Sequence, residues 1–302
     1  MGDVTAGDQR ELQGDYHRRI FHALHDWDRS WAGALDVAGG GERARSLGFD
    51  QLGHFGAQGC ALVAAELARG LGTDRPPVLA EFGCGFGGAL RDVVRGLGEH
   101  GVEVGRALGF DIVWDHVRLF RTIQGSPSGG TAPGAVATAQ PVQADARAVP
   151  VRDGALDAVV CTGSLPHFAD VAQVFAEAAR TLRPGAPLVM TEEVSLLAPG
   201  RGVSPEFRRL HPPEIFFLAE IGERVEQLRK AGFTEIGIRD LTAWACGLLN
   251  DRIKVMRIFF GDVAVVYGED EAQTLLDTLE VAREEYLGGA VVPALVTART
   301  TP

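Results

Sequence analysis

Lysine is nearly missing from this 302-residue chain: Lys230 and Lys254 are the only two. The basic charge is almost all arginine and is outweighed, 29 Lys+Arg against 40 Asp+Glu, for a formal net charge of −11. No basic stripe runs along the sequence, which argues against a nucleic-acid partner. Cysteine is scarce as well. Cys60, Cys84, Cys161 and Cys246 stand far apart without metal-ligand spacing, a pattern that suits a reducing cytoplasm rather than a disulfide scaffold. No apolar run approaches the roughly 18 residues needed to cross a membrane. The first residues, Met1-Gly2-Asp3-Val4-Thr5, lack the basic and apolar regions of a secretion signal, and no internal repeat is visible. The expectation is a soluble, cytoplasmic protein with no membrane or nucleic-acid partner and no resident metal. What is present is ordinary globular material, 46% hydrophobic and 23% charged, long enough for one large domain or two small ones.

Three regions follow from the pattern. Residues 1–14 are polar and are expected to be a disordered tail. Residues 15–75 read as an N-terminal helical cap. Tyr16, Ile20, Leu24, Trp27 and Trp31 recur at helical spacing, and a second helix runs from about Gln58 to Leu71. Residues 76–302 read as a catalytic domain in which strands and helices alternate. Strands are expected near Val78–Phe82, Val102–Ile112, Thr138–Ala144, Ala155–Cys161 and Pro187–Glu192, with helices after the second and fourth. Such alternation predicts an α/β fold, a mostly parallel sheet with helices on both faces. Ile236–Leu241 and Val291–Ala298 read as a closing antiparallel pair, which makes seven strands. Helices are expected from about Glu214 to Lys230 and Glu271 to Tyr286. The stretch 195–217 is too long for a turn and reads as an inserted lid.

The densest signal is Val78-Leu79-Ala80-Glu81-Phe82-Gly83-Cys84-Gly85-Phe86-Gly87-Gly88, an apolar strand that breaks into glycines ahead of an amphipathic helix. Glycine permits left-handed backbone and close approach of a ligand, and the helix N-terminus offers unpaired N–H groups. Gly83, Gly85 and Gly88 satisfy G-x-G-x-x-G, by itself a weak dinucleotide signal. Glu81 pulls away from that reading, because a carboxylate at the strand end repels a pyrophosphate but not a ligand carrying ammonium and sulfonium charges. Asp111 ends the next strand, 28 residues beyond Gly83, against about 20 in the compact dinucleotide fingerprint; an acid there still suits a ribose diol.

Downstream come Asp145-Ala146, then Thr181-Leu182-Arg183-Pro184-Gly185. With these four motifs in order, residues 50–299 resemble the class I S-adenosylmethionine-dependent methyltransferases. The resemblance implies a Rossmann-like fold and S-adenosylmethionine as cofactor. It implies contacts from Glu81, Gly83, Gly85, Gly87, Asp111, Ile112, Asp145 and Ala146. Asp50-Gln51-Leu52-Gly53-His54-Phe55-Gly56 resembles the lead-in segment of the sarcosine/dimethylglycine, tocopherol and sterol branch, which adds Gln51 to the cofactor set. The sequence departs from the pattern at Glu81, often Asp, at the inserted Gly53, and at Ala186, where a second glycine is usual. The implied function is methyl transfer to a small-molecule acceptor in specialised metabolism, with a homodimer left open.

The acceptor side offers several candidates. Methyl transfer is an in-line displacement, so placing the acceptor matters first and modest general-base help suffices. His167, in the turn after the fourth strand, is one candidate base; capping the next helix is its plainer role. His54 and Glu193 are the others. Arg208, Arg209 and His211 in the lid would bind a carboxylate or phosphate on the acceptor, although a solvated face is the favoured explanation of the arginines. One alternative is C-methylation of an isoprenoid diphosphate alkene, which alone would bring in Mg²⁺; Ser164 stands about where that group carries a glutamate. A nicotinamide-dependent oxidoreductase is more remote, since Glu81 and Asp145 argue against it.

Overall fold

The computed structural model describes residues 6–20, 27–51, 53–72, 75–125, 139–196 and 202–302. Its strands are β1 Val78–Phe82, β2 Arg106–Asp111, β3 Ala139–Gln143, β4 Ala158–Thr162, β5 Pro187–Val194, β6 Phe233–Asp240 and β7 Val292–Thr300. They form one seven-stranded sheet in the order β3-β2-β1-β4-β5-β7-β6. β1 to β5 pair in parallel, while β7 runs antiparallel to both β5 and β6. The chain reverses direction along the sheet between β1 and β4, the place where open α/β sheets bind ligands beyond the carboxyl ends of their strands.

Helices α1 Ala6–Ile20, α2 Trp27–Ala38, α3 Gly41–Ser46 and α4 Gly56–Ala68 precede the sheet. Within it lie α5 Gly88–Glu99, α6 Trp114–Gly125, α7 Val171–Thr181, α8 Pro205–Leu210 and α9 Ile221–Lys230. Between β6 and β7 come α10 Thr242–Ile258, α11 Phe260–Tyr267 and α12 Glu269–Gly288. Alternation along the strands builds two cores. Ala80, Phe82, Val159 and Cys161 face α7 and α9 through Val174, Phe175, Ala178 and Leu228. Leu79, Val160 and Val189 face α4 and α5 through Val63, Leu67, Leu90, Val93 and Leu97. Both faces are covered, as a parallel sheet requires.

The sheet and its closing antiparallel pair match the sequence expectation. The ends of the chain order do not. Residues 6–14, expected to be disordered, belong to α1; Gln9, Gln13 and Tyr16 are buried there. The single helix expected over Asp15–Trp31 is two helices, and residues 21–26, with His22, Leu24 and His25, lie outside the described residues. Trp31 packs in a separate core with Phe86, Leu119, Val266 and Tyr267. The helix expected from Glu214 begins at Ile221: a turn after Pro212, closed by the Ile215 and Phe216 N–H groups on the Pro212 carbonyl, is not continued, because the Phe217 N–H bonds instead to the Pro166 carbonyl. α10 and α11 were not foreseen. Among the described residues no helix is long and apolar enough to cross a membrane.

Candidate active site

Four strand ends open into one cleft above the β1–β4 switch. β1 contributes Gly83, Cys84, Gly85 and Phe86; β2 contributes Phe110, Asp111, Ile112 and Val113. β3 leads to Ala144, Asp145, Ala146 and Arg147, and β4 to Thr162, Gly163, Ser164, His167 and Phe168. Gln51 and Gly53 close one side, and Gln9, Gln13 and His17 of α1 cover the top.

The glycine turn is set by backbone sterics. Gly83 (φ +75°), Gly85 (φ +51°) and Gly87 (φ +76°) all have left-handed backbone. A Cβ on Gly83 would fall 2.5 Å from the Ser164 Cβ. Ser164 donates to the Phe82 carbonyl at 2.7 Å and locks the β4 turn against β1. Gly87, expected among the cofactor contacts, is not part of the cleft lining. A Cβ there would meet the Phe120 ring at 2.2 Å, so it is glycine for packing.

Asp111 is a carboxylate held open to the cleft by three donors. The Gly85 N–H reaches Oδ2 at 2.8 Å, and the Val113 N–H and His116 Nδ1 reach Oδ1 at 2.9 and 3.1 Å. Burial would raise its pKa, but His116 and the two amides overcome that and hold it below the usual range. Ile112 and Ala146 line the cleft as expected, and Asp145 does so with its carboxylate already bound by the Arg147 guanidinium and amide. Gln51 lines it too, donating from Nε2 to Asp92.

For Glu81 the expectation is a cofactor role, direct or through water. It is completely buried beneath the cleft floor and is not part of its lining. Oε1 accepts from the Thr162 hydroxyl and Oε2 has no hydrogen-bond partner. Burial, reinforced by Asp111 and offset in part by Thr162, pushes its pKa up to about 8.

The acceptor candidates separate. His167 lies in a 3₁₀ turn, Leu165–His167, half-buried in the cleft wall. Its Nδ1 is buried without a hydrogen-bond partner, and burial pulls its pKa down to about 4 against the pull of Glu193. Its ring lies near Tyr16 and Phe216, with centroids 5.7 and 5.5 Å away. α1 is fastened at this point. Gln13 Nε2 donates to the His167 and Ile215 carbonyls at 2.9 and 3.3 Å, Gln9 Nε2 to the His167 carbonyl at 3.3 Å, and the Tyr16 hydroxyl to the Leu210 carbonyl at 3.2 Å.

His54 and Glu193 lie outside the cleft lining, in a cluster behind it. His54 Nδ1 is 3.4 Å from Glu193 Oε1, which also accepts from the Tyr286 hydroxyl. Burial opposes ionisation of Glu193, but His54, His211 and Tyr286 win and bring its pKa down to about 2. His211 belongs to the same cluster, stacked on Phe207 with centroids 4.4 Å apart, and burial lowers its pKa to about 4. Arg208 and Arg209 are exposed on α8 and are not among the residues that line the cleft. Among the described residues no group of three or more His, Cys, Asp or Glu side chains is arranged to hold a metal.

Sequence reasoning missed Gln9 and Gln13 because residues 1–14 were read as a tail, and His17, inside the expected helix, because nothing marked which way it faces; their i, i+4 spacing beside Tyr16 was the available signal. His116, five residues after Asp111, and Tyr286 had no local motif to betray them.

The sheet and the cleft beyond its strand ends have the fold of solved methyltransferases. Residues 80–190 match the methyltransferase domain family. No curated protein matches the sequence. Among solved structures, phosphoethanolamine N-methyltransferase 2 of Haemonchus contortus, bound to phosphomonomethylethanolamine and S-adenosylhomocysteine, superposes with a TM-score of 0.72 at 14% identity. The match covers 96% of this chain and 60% of that one, so the chain spans about 60% of its relative's length. A protein of Galdieria sulphuraria named for sarcosine and dimethylglycine methylation gives 0.63 at 16% identity, covering 80% of this chain and 84% of that one. Geranyl diphosphate C-methyltransferase of Streptomyces coelicolor, bound to Mg²⁺, geranyl-S-thiolodiphosphate and S-adenosylhomocysteine, gives 0.57 at 17% identity, covering 79% and 75%. At these identities the likeness is one of fold.

Proposed function

We propose that this protein transfers a methyl group from S-adenosylmethionine to a small-molecule acceptor, with His167 as the general base. One observation carries the reading: the glycine turn, Asp111, Asp145 and His167 converge on a single cleft although they come from four strand ends. The bound cofactor supplies an electrophilic methyl on a sulfonium. Gly83 and Gly85 keep side chains out of its way, the Asp111 carboxylate accepts from a ribose hydroxyl, and Ile112 and Ala146 flank the adenine. Asp145, tied to Arg147, offers an acceptor at the adenine edge. Glu81 acts from beneath, through Thr162 and the charge it can carry, rather than by contact.

His167 suits a base at neutral pH. It is uncharged there, its Nδ1 faces no competing donor or acceptor, and it sits where the cover formed by α1 meets the cleft. When it takes a proton, the ionised Glu193 nearby stabilises the resulting charge. His54 and Tyr286 hold Glu193 in that state and thus support the base rather than touch the acceptor. Gln9, Gln13 and Tyr16 exclude water from above. The acceptor is therefore a molecule whose nucleophilic nitrogen, oxygen or carbon must lose a proton.

The test is a transfer screen with isotope-labelled methyl donor across amines, phenols and carbon acids. Label is expected in one class of acceptor, with S-adenosylhomocysteine as co-product. Formation of neither product with any class contradicts the proposal.

A further inference from the structure

Asp111 has a companion that its motif does not include. His116, on the first turn of α6, is 3% exposed and lines the same cleft. An ionised carboxylate can only accept, so the 3.1 Å contact fixes the tautomer: Nδ1 carries the proton and donates to Oδ1. The ring is caged. Phe86 from the glycine turn meets it edge-on with centroids 5.2 Å apart at 88°, and His17 from α1 meets it at 4.7 Å and 89°. The cage leaves the imidazole little freedom except to point at Asp111.

The consequence is one of free lone pairs. A carboxylate offers about four acceptor positions. The Val113 amide and His116 use Oδ1, and the Gly85 amide uses one position on Oδ2. What remains is acceptor capacity on Oδ2 of a residue that lines the cleft.

We propose that His116 is a positioning residue for the cofactor's ribose, holding the Asp111 carboxylate turned so that Oδ2 receives the hydroxyl. This rests on the reading of the cleft as a nucleoside site. His116 touches Asp111 and acts through it, so its contribution to binding depends on the ribose hydroxyls. Through His17 the same ring forms part of the seat on which α1 closes.

The experiment is calorimetry on the full chain with S-adenosylhomocysteine and with its analogue lacking both ribose hydroxyls. His116→Leu is expected to weaken S-adenosylhomocysteine binding about ten- to a hundredfold, the worth of a hydrogen bond to a charged group. It should change affinity for the hydroxyl-free analogue by less than about threefold. His116→Asn, which keeps a donor near the Nδ1 position, should recover most of the loss. Should His116→Leu fail to fold, His116→Phe fills the same cage and serves the same comparison. The proposal is overturned if the apolar variant binds S-adenosylhomocysteine as the wild type does, if it loses both ligands equally, or if Asn does no better than Leu. Absence of S-adenosylhomocysteine binding to the unaltered protein would instead overturn the cofactor reading itself.

Discussion

Asp111 and His167 carry opposite electrostatic demands within one cleft, and the residues around each meet them separately. Two amides and an imidazole keep Asp111 charged, while apolar and aromatic neighbours keep His167 neutral. Asp111→Ala should leave a folded protein whose affinity for S-adenosylhomocysteine is at least about tenfold lower. Calorimetry checks this, and an unchanged affinity would remove Asp111 from the site. His167→Gln should lower kcat by about a hundredfold or more with cofactor affinity kept, the usual range for a lost general base. The pH dependence follows from the sign of the shift. A base must be unprotonated to act, and the His167 pKa is depressed to about 4. The base-dependent rate should therefore be flat near neutrality and fall only as pH drops through about 4. A fall near 6.5, the ordinary imidazole value, would place the base elsewhere.

At the scale of elements, the strand–turn–helix from β1 to α5 and the cover α1 do different work. The turn is rigid by construction. Gly87→Ala would force a left-handed φ on a residue with a Cβ and drive that Cβ into Phe120, so a loss of more than about 2 kcal/mol is expected in urea unfolding. α1 instead stands apart from the two sheet cores and is tied down by side-chain bonds to three carbonyls, those of His167, Leu210 and Ile215. Removing residues 1–20 should leave the sheet folded and nearly abolish methyl transfer; turnover at the wild-type rate would show that α1 is not a cover. The turn was readable from sequence because its glycines are adjacent in the chain. α1 was not, because Gln9 and Gln13 look like surface residues until their partners are known. Asp145 and Ile112 were legible as motif residues, but Glu81 and Gly87 shared the motif without reaching the cleft. The motif records where the chain must turn and bury: Gly87 turns against Phe120, and Glu81 is enclosed at the end of β1.

Across the whole molecule, burial of histidines sets the response to acid. His17, His167 and His211 are lowered from 6.5 to about 3, 4 and 4, chiefly by burial. As pH falls below 6.5 the unfolded chain takes up protons that the folded chain refuses, so these groups make stability decline towards pH 4. Each histidine contributes up to about 1.4 kcal/mol per pH unit. Glu193, lowered to about 2, extends the decline: its stabilisation is complete above 4.5 and lost as pH falls through about 2. Glu81 acts the other way, stabilising below 4.5 and losing that contribution as pH rises through about 8. Urea unfolding between pH 4 and 6.5 should show the decline, and His211→Leu should make it shallower; an identical slope would mean that His211 is protonated in the folded state. The sheet order was legible because strands and helices alternate locally. The cluster of His54, Glu193, His211 and Tyr286 was not, since it joins residues up to 232 positions apart (286 − 54) that only the fold brings together.

The central claim is that the cleft beyond β1 to β4 is a site for S-adenosylmethionine, and calorimetric titration with S-adenosylhomocysteine tests it most directly. Saturable binding at one site per chain, lost or weakened in Asp111→Ala, is the predicted result. No heat of binding at millimolar ligand, or binding indifferent to Asp111, would contradict it.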